Sequence, residues 1–163
     1  MKIEPYSSSH SYAQFDCGNE ALNKYLKSLA SPDIKRGMAQ VYVAIDNSVV
    51  VGYYSLSPFS IMFSELPATL TKKYPPNKNV PCWLIGKLAR DLSVKGQGVG
   101  EFLLLDAMKR VKQGALVYGG FCIIVDSKDE KAALFYKKFG FEILDETKNT
   151  RRYYLPIAEI PDF

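Results

Sequence analysis

Three glycines at alternate positions interrupt the run Val94-Lys95-Gly96-Gln97-Gly98-Val99-Gly100, between an apolar segment and a helical pattern. Glycine lets a backbone turn tightly and approach a ligand. The N–H groups at a helix start lack intrahelical partners and carry the positive end of the helix dipole, so this arrangement suits a phosphate or pyrophosphate. Lys95 adds a positive charge beside it. A Walker A loop needs G-x-x-x-x-G-K-[ST], which this loop lacks. A dinucleotide fingerprint needs G-x-G-x-x-G after an early strand, whereas here the spacing is G-x-G-x-G and the loop comes late. A plain turn would use the same glycines, so the loop alone leaves both readings open.

Tyr136 is the second residue with chemical potential. A phenol with pKa ~10 stays protonated at neutral pH and can donate a proton. It also falls on a helical stripe with Ala132, Phe135 and Phe139, and spacing alone fits packing as well as catalysis. The one histidine, His10, stands in a polar stretch, so a His-based triad or His-rich metal site lacks its partners. Cys17, Cys82 and Cys122 are widely spaced, with no C-x-x-C, so neither a disulfide framework nor a zinc site is expected. Cys122, in an apolar run, reads as a buried, inert thiol.

The elements that must carry these residues follow from periodicity. Asn19-Glu20 opens a helix whose face is Leu22, Tyr25, Leu26 and Leu29. Ser31-Pro32 is expected to end it, with a short helical piece running on to Gly37. Gln40 to Asp46 alternates as a strand, Asp46-Asn47-Ser48 is a turn, and Val49 to Ser57 is a second strand, making an antiparallel hairpin. Thr71 to Pro81 reads as a long loop or short helical excursion. Trp83 to Leu92 is a third apolar segment leading into the glycine loop.

The helix after that loop presents Leu104, Ala107, Met108 and Val111. Gly119-Gly120 breaks the chain before a buried strand from Phe121 to Val125. Ser127 and Glu130 have capping-box spacing, and Gly140 suits the end of the helix that follows. Phe141 to Leu144 and Arg152 to Leu155 complete the strands. The order predicts a mixed α/β domain around one central sheet, spanning residues 1–163.

Composition sets the outer limits. The chain has 163 residues, of which 47% are hydrophobic and 23% charged, ordinary values for one globular domain. A net charge of +4 fits an anionic partner such as a phosphorylated cofactor, RNA or an acidic protein, without requiring one. No basic segment followed by an apolar stretch opens the chain, so no signal peptide is expected. No apolar run approaches the ~20 residues that span a bilayer, so no membrane role is expected either. The expected compartment is a reducing cytoplasm.

The segment from Ile85 through Leu88-Ala89-Arg90 to Gly100 resembles the acetyl-CoA motif of GNAT acetyltransferases, Q/R-x-x-G-x-G/A after a strand. Ala132, Tyr136 and Phe139-Gly140-Phe141 resemble the family's downstream Ala-x-x-x-Tyr helix and aromatic-Gly-aromatic step. Lys95 takes the Gln/Arg position, keeping the charge but losing the guanidinium fork. Asp129 stands where many members have Asn. The resemblance implies a single GNAT-like domain with a splayed, mostly antiparallel sheet flanked by helices. It implies an acetyl-CoA-dependent N-acetyltransferase with no metal and no covalent enzyme intermediate. Leu88, Ala89 and Arg90 would line the pantetheine, and Lys95, Gly96, Gln97, Gly98, Val99 and Gly100 the pyrophosphate. Tyr136 would be the general acid. No general base stands out among Glu20, Glu65, Asp91 and Glu101.

Two stretches, Gln14-Phe15-Asp16-Cys17-Gly18-Asn19-Glu20 with Leu22, Asn23, Tyr25 and Leu26, and Gly86-Lys87-Leu88-Ala89-Arg90-Asp91, resemble the TacT/AtaT-like GNAT toxins of bacterial toxin–antitoxin modules. That likeness implies charged tRNA as acceptor, an antitoxin protein as partner, and in many members a homodimer. Lys35 and Arg36, with Lys87 and Arg90, are the basic residues expected to meet an RNA backbone. The apolar tail (Ile157, Ile160, Phe163) either supports a dimer or finishes the core. Other acceptors for the same fold are a small amine, an antibiotic or a protein N-terminus. A non-catalytic acetyl-CoA-binding module is the further alternative.

Overall fold

Fourteen residues of β-strand pass straight through Ser57, where the sequence pattern stops: β3 runs Val49–Met62. It belongs to a computed structural model that describes the whole chain except Pro75, Asn77, Lys78, Lys128 and residues 146–149. The other strands are β1 (Lys2–Pro5), β2 (Gln40–Asp46), β4 (Asn79–Arg90), β5 (Cys122–Ser127), β6 (Glu142–Asp145) and β7 (Arg151–Pro156). The helices are α1 (Glu20–Lys24), α2 (Ala30–Lys35), α3 (Ala68–Thr71), α4 (Val99–Tyr118) and α5 (Glu130–Lys138). Hydrogen-bonded strand neighbours follow the order β1-β2-β3-β4-β5-β7-β6. The pairs β1/β2, β2/β3, β5/β7 and β6/β7 are antiparallel, so the fold is mixed α/β with a mostly antiparallel sheet. Two compact units divide the chain, Met1–Ser57 with Ile85–Met108, and Pro58–Leu84 with Lys109–Phe163.

In the first unit, β1 is an addition to the sequence reading. Its four residues are too few to show an alternation, yet they pair with β2 from Lys2 opposite Ile45 to Pro5 opposite Tyr42. Val41, Val43 and Ile45 are buried as the alternation predicts, and so is Ala44 on the opposite face, so β2 is covered on both sides. Asn47 and Ser48 both have positive φ, the turn geometry that matches the twist of a two-residue hairpin.

The N-terminal helix differs from expectation. Asn19 caps it as predicted, its side chain accepting the Leu22 N–H. Ser31-Pro32 does not end it. Residues Tyr25–Leu29 form a π-helical turn, with the Ala30 N–H bonded to the Tyr25 carbonyl, and α2 continues through Pro32 to Lys35. A proline in a regular helix clashes with the carbonyl four residues back. The wider π turn just before it changes that register. It also adds one residue to the phase, so Leu29 is turned out, 44% exposed, and Ala30 takes its buried place. Phe15, Tyr25, Leu26, Val41, Val43 and Tyr53 form the core here. Tyr53 donates its hydroxyl to the Leu22 carbonyl at 2.8 Å, tying helix to sheet.

In the second unit, Ile61, Leu66, Val80, Cys82, Cys122, Ile124 and Tyr154 pack together. The expected loop from Thr71 to Pro81 is shorter than read: α3 ends at Thr71 and β4 begins at Asn79, while Pro75, Asn77 and Lys78 lie outside the described residues. Trp83 donates its indole N–H to the Gly119 carbonyl at 3.0 Å. A Cβ on Gly120, at φ +127°, would fall 2.3 Å from that indole nitrogen, so only glycine fits beneath the ring. Cys122 is fully buried, as expected, but its sulfur lies 3.4 Å from that of Cys82, a proximity the 40-residue spacing conceals. In the tail Ile160 is buried and its carbonyl accepts from Lys112 at 2.8 Å, while Phe163 is exposed. Among the described residues, no helix is long and apolar enough to cross a membrane.

Candidate functional site

The glycine loop is built from its two flanks. β4 ends at Arg90, with Leu88 and Arg90 half-buried and Ala89 buried. Asp91 then caps a short 3-10 turn, Leu92–Val94, its carboxylate accepting the Ser93 N–H at 2.9 Å. The chain emerges as an exposed loop in which Gly96 and Gly98 take φ +78° and +77°. Only glycine adopts that conformation without strain. A Cβ at either position would meet no protein atom within 4 Å, so conformation, not crowding, demands the glycines, and the loop faces open space.

α4 starts at Val99, and the Phe102 N–H donates back to the Gly98 carbonyl, just before the helix, at 3.0 Å. The first amides of the helix, those of Val99 and Gly100, point out of its start, and the dipole of a 20-residue helix stands behind them. Lys95 is exposed beside them. This set fits a pyrophosphate: backbone amides at a helix start, a cation, and backbone that a ligand can approach. Gly52 on β3, a residue the sequence reading passed over, sets how closely α4 lies on the sheet. A Cβ there would sit 2.8 Å from Leu103 and 3.2 Å from both the Ala89 carbonyl and Val99. A glycine inside a strand is the one signal that could have pointed to it.

Tyr136 lies in the second unit, on α5. Asp129 caps this helix by accepting the Ala132 N–H at 2.7 Å. That corrects the expected capping box. Ser127 instead donates to the Asp129 carbonyl, and Glu130 pairs with Arg151 at 2.6 Å. Lys128, within that motif, lies outside the described residues. At the other end Gly140, at φ +92°, donates to Lys137 and Phe141 donates to Tyr136, a Schellman closure that matches the expected cap. Of the expected stripe Tyr136 is buried and Ala132, Phe135 and Phe139 are half-buried, while the other fully buried position is Ala133, which the pattern did not include. The Tyr136 ring contacts Phe135 and Phe141 at 5.4 and 5.7 Å between centroids. Burial, and then the charges of Asp126 and Asp129, push its phenol up to about 12, so it stays protonated across the working range.

The basic residues singled out in the sequence divide into two kinds. Lys35 ends α2 and Arg36 caps it, both exposed. Lys87 is half-buried, its ammonium 4.3 Å from the centre of the Tyr25 ring. Asp91, considered as a general base, is committed elsewhere. Burial raises its pKa, but N–H donors from Asp16 and Ser93 outweigh it and the net shift is downward. Among the described residues, no group of three or more His, Cys, Asp or Glu side chains is arranged to hold a metal.

Residues 37–143 match the family model described as an acetyltransferase (GNAT) domain. The chain belongs to the GNAT acetyltransferase family. Across 97% of its length it is 29% identical to a probable toxin TacT of Sinorhizobium fredii, covering 92% of that protein. Across 84% it is 31% identical to a tRNA-acetylating toxin of Mycobacterium tuberculosis, covering 81% of that protein. Among solved structures it is similar to AtaT complexed with acetyl-methionyl-tRNAfMet, with 31% identity, TM-score 0.89, and 98% and 96% of the two chains covered. It is also similar to an AtaT variant bound to the C-terminus of the antitoxin AtaR and acetyl-CoA, with 29% identity, TM-score 0.81, and 98% and 94% covered.

Proposed function

We propose that this protein is an acetyl-CoA-dependent N-acetyltransferase that acetylates the amino group of aminoacyl-tRNA and so blocks translation. The observation that carries the acetyl-CoA half is the exposed loop with two positive-φ glycines opening directly onto α4, in a chain of this family. The acceptor half is supported by near-full-length similarity to a tRNA-acetylating toxin and to a toxin with acetylated tRNA bound. The same similarity supports an antitoxin protein as partner. A homodimer and action in the cytoplasm, by the whole chain as one domain, complete the reading.

In this mechanism the backbone of Leu88, Ala89 and Arg90 lines the pantetheine, and Lys95 with the loop through Gly100 holds the pyrophosphate. The acceptor nitrogen attacks the thioester carbonyl directly, the carbon–sulfur bond breaks, and the proton lost by the amine leaves to solvent. A backbone amide at the end of β4 stabilises the oxyanion. Tyr136 donates its phenolic proton to the departing thiolate. An α-amino group with pKa ~7.7–8.0 is already partly neutral at working pH, so it needs less base assistance than a lysine.

The test is transfer of labelled acetyl groups from acetyl-CoA to charged tRNA, beside deacylated tRNA and the Tyr136→Phe variant. Label on charged tRNA alone, lost in the variant, is the expected result. Label on small amines or peptides but not on tRNA would transfer the activity to another acceptor.

A further inference from the structure

The Gln14–Leu26 stretch carries a tight hydrogen-bond network that no step of the proposed reaction uses. Asp16 and the start of the glycine-loop segment are joined by two reciprocal bonds across 75 residues of sequence. The Asp16 N–H donates to the Asp91 carboxylate at 2.9 Å, and the Leu92 N–H donates to the Asp16 carbonyl at 2.9 Å. Asp91 also receives the Ser93 N–H on its other oxygen, and its own N–H donates to the Val51 carbonyl at 2.8 Å.

The Asp16 side chain is held in turn. Its Oδ1 accepts the Gly18 N–H at 2.8 Å and the Asn23 amide at 2.9 Å. Asn23, only 5% exposed, accepts the Cys17 N–H at 2.9 Å with its own oxygen. Gly18, at φ +84°, brings the turn against Leu92: a Cβ there would sit 3.4 Å from the leucine side chain. From Asp91 the bonds pass straight into the loop. Val94 donates to Asp91, Lys95 to Leu92 and Gln97 to Val94.

We infer that Asp16, Asn23 and Asp91 are positioning residues that clamp the front of the glycine loop and thereby set acetyl-CoA affinity. The physical argument is one of placement. The loop beyond Lys95 is exposed, and its glycines make it intrinsically pliable. Pre-ordering a binding loop removes an entropic cost from ligand association. Asp16 and Asp91 are both acidic beside a site for an anion, so charge alone would disfavour them there. Their lone pairs are spent on N–H donors, and hydrogen bonding holds both carboxyls below their usual range. Their presence is explained by the bonds they accept, not by their charge.

The inference rests on the reading of the loop as the pyrophosphate site, and direct binding of CoA by calorimetry separates the two. Absence of CoA binding by the unaltered chain would defeat that reading. With CoA bound by the unaltered chain, Asp91→Ala should weaken binding about tenfold, the scale of losing charge-assisted hydrogen bonds. Amide exchange should quicken over residues 92–98 while elements remote from them stay protected. In turnover the KM for acetyl-CoA should rise with kcat changed less than about twofold, since a loop clamp acts on binding and not on the chemical step. Asp91→Asn keeps one acceptor oxygen and should recover part of the affinity; it also serves should the alanine variant not fold. A folded variant, alanine or asparagine, that binds CoA within about twofold of the unaltered chain and shows unchanged loop exchange would overturn the inference.

Discussion

The Lys87 ammonium sits 4.3 Å above the ring of Tyr25, whose hydroxyl donates to Asp33 at 3.0 Å and whose face stacks on Tyr53. This cation is therefore oriented by the core, whereas Lys35 and Arg36 are exposed at the end of α2. An oriented charge loses less entropy on meeting a phosphate. Lys87→Ala should weaken charged-tRNA binding uniformly across sequences and flatten the dependence of log K on log salt by about 0.7 to 0.9. The joint Lys35→Ala, Arg36→Ala variant should flatten it by about twice as much if both meet RNA. Titrations at several salt concentrations measure this. Slopes unchanged by either variant would remove these residues from the RNA surface.

Tyr136→Phe should fold normally, because the ring keeps its contacts with Phe135 and Phe141. Turnover should fall by about 10²- to 10⁴-fold, the usual worth of a positioned proton donor, with CoA binding retained. Because its phenol lies near 12, no loss of rate between neutral pH and pH 10 should trace to it. Single-turnover rates across that range check both points. Turnover within a few-fold of the parent would take Tyr136 out of the mechanism.

Five buried or half-buried tyrosines set an alkaline limit on stability. Tyr6, Tyr136 and Tyr154 are each pushed up to about 12, in every case first by burial. Tyr25 and Tyr53 move further in the same direction. An unfolded tyrosine titrates near ~10, so folded pKa values above that give stability that is complete below pH ~10. It is lost as pH rises through the folded values. The melting temperature should therefore hold to about pH 10 and fall steeply towards 12. A flat profile to pH 12 would contradict the burial of these hydroxyls.

Two glycine substitutions should separate conformation from crowding. Gly96→Ala meets no neighbour but must adopt φ +78°, a strain of about 1–2 kcal/mol placed on an exposed loop. It should lower the melting temperature by only a few degrees, and should lower CoA affinity. Gly52→Ala drives a methyl against Leu103 and the Ala89 carbonyl, and should destabilise the fold by about 1–3 kcal/mol. Thermal melts beside CoA titrations compare the two. A large melting loss for Gly96→Ala would mean that the loop carries fold stability.

What the sequence displays follows the range of each interaction. The glycine loop, the Asn19 cap and the Gly140 closure are local, and each is visible as a residue type at a fixed offset. The buried face of α4 follows because 20 regular residues give periodicity room to show. The π turn at Tyr25–Leu29 is invisible, because one extra residue leaves composition unchanged while turning Leu29 out and Ala30 in. The bond from Asp16 to Asp91 is invisible for another reason: nothing local marks two aspartates 75 residues apart as partners. Strand β1 fails on length, since four residues cannot display a period.

Trp83 is the one tryptophan in the chain, and its indole is pinned to the Gly119 carbonyl above a glycine that admits nothing larger. Tryptophan fluorescence therefore has a single source. Excited at the red edge of its absorption, the protein emits from one address, at the junction between the end of α4 and the start of β5. A melt followed by this emission reports the loosening of that spot, and a melt followed by circular dichroism reports the whole backbone. Agreement between the two curves would make this protein's unfolding cooperative by the strictest optical criterion it can offer.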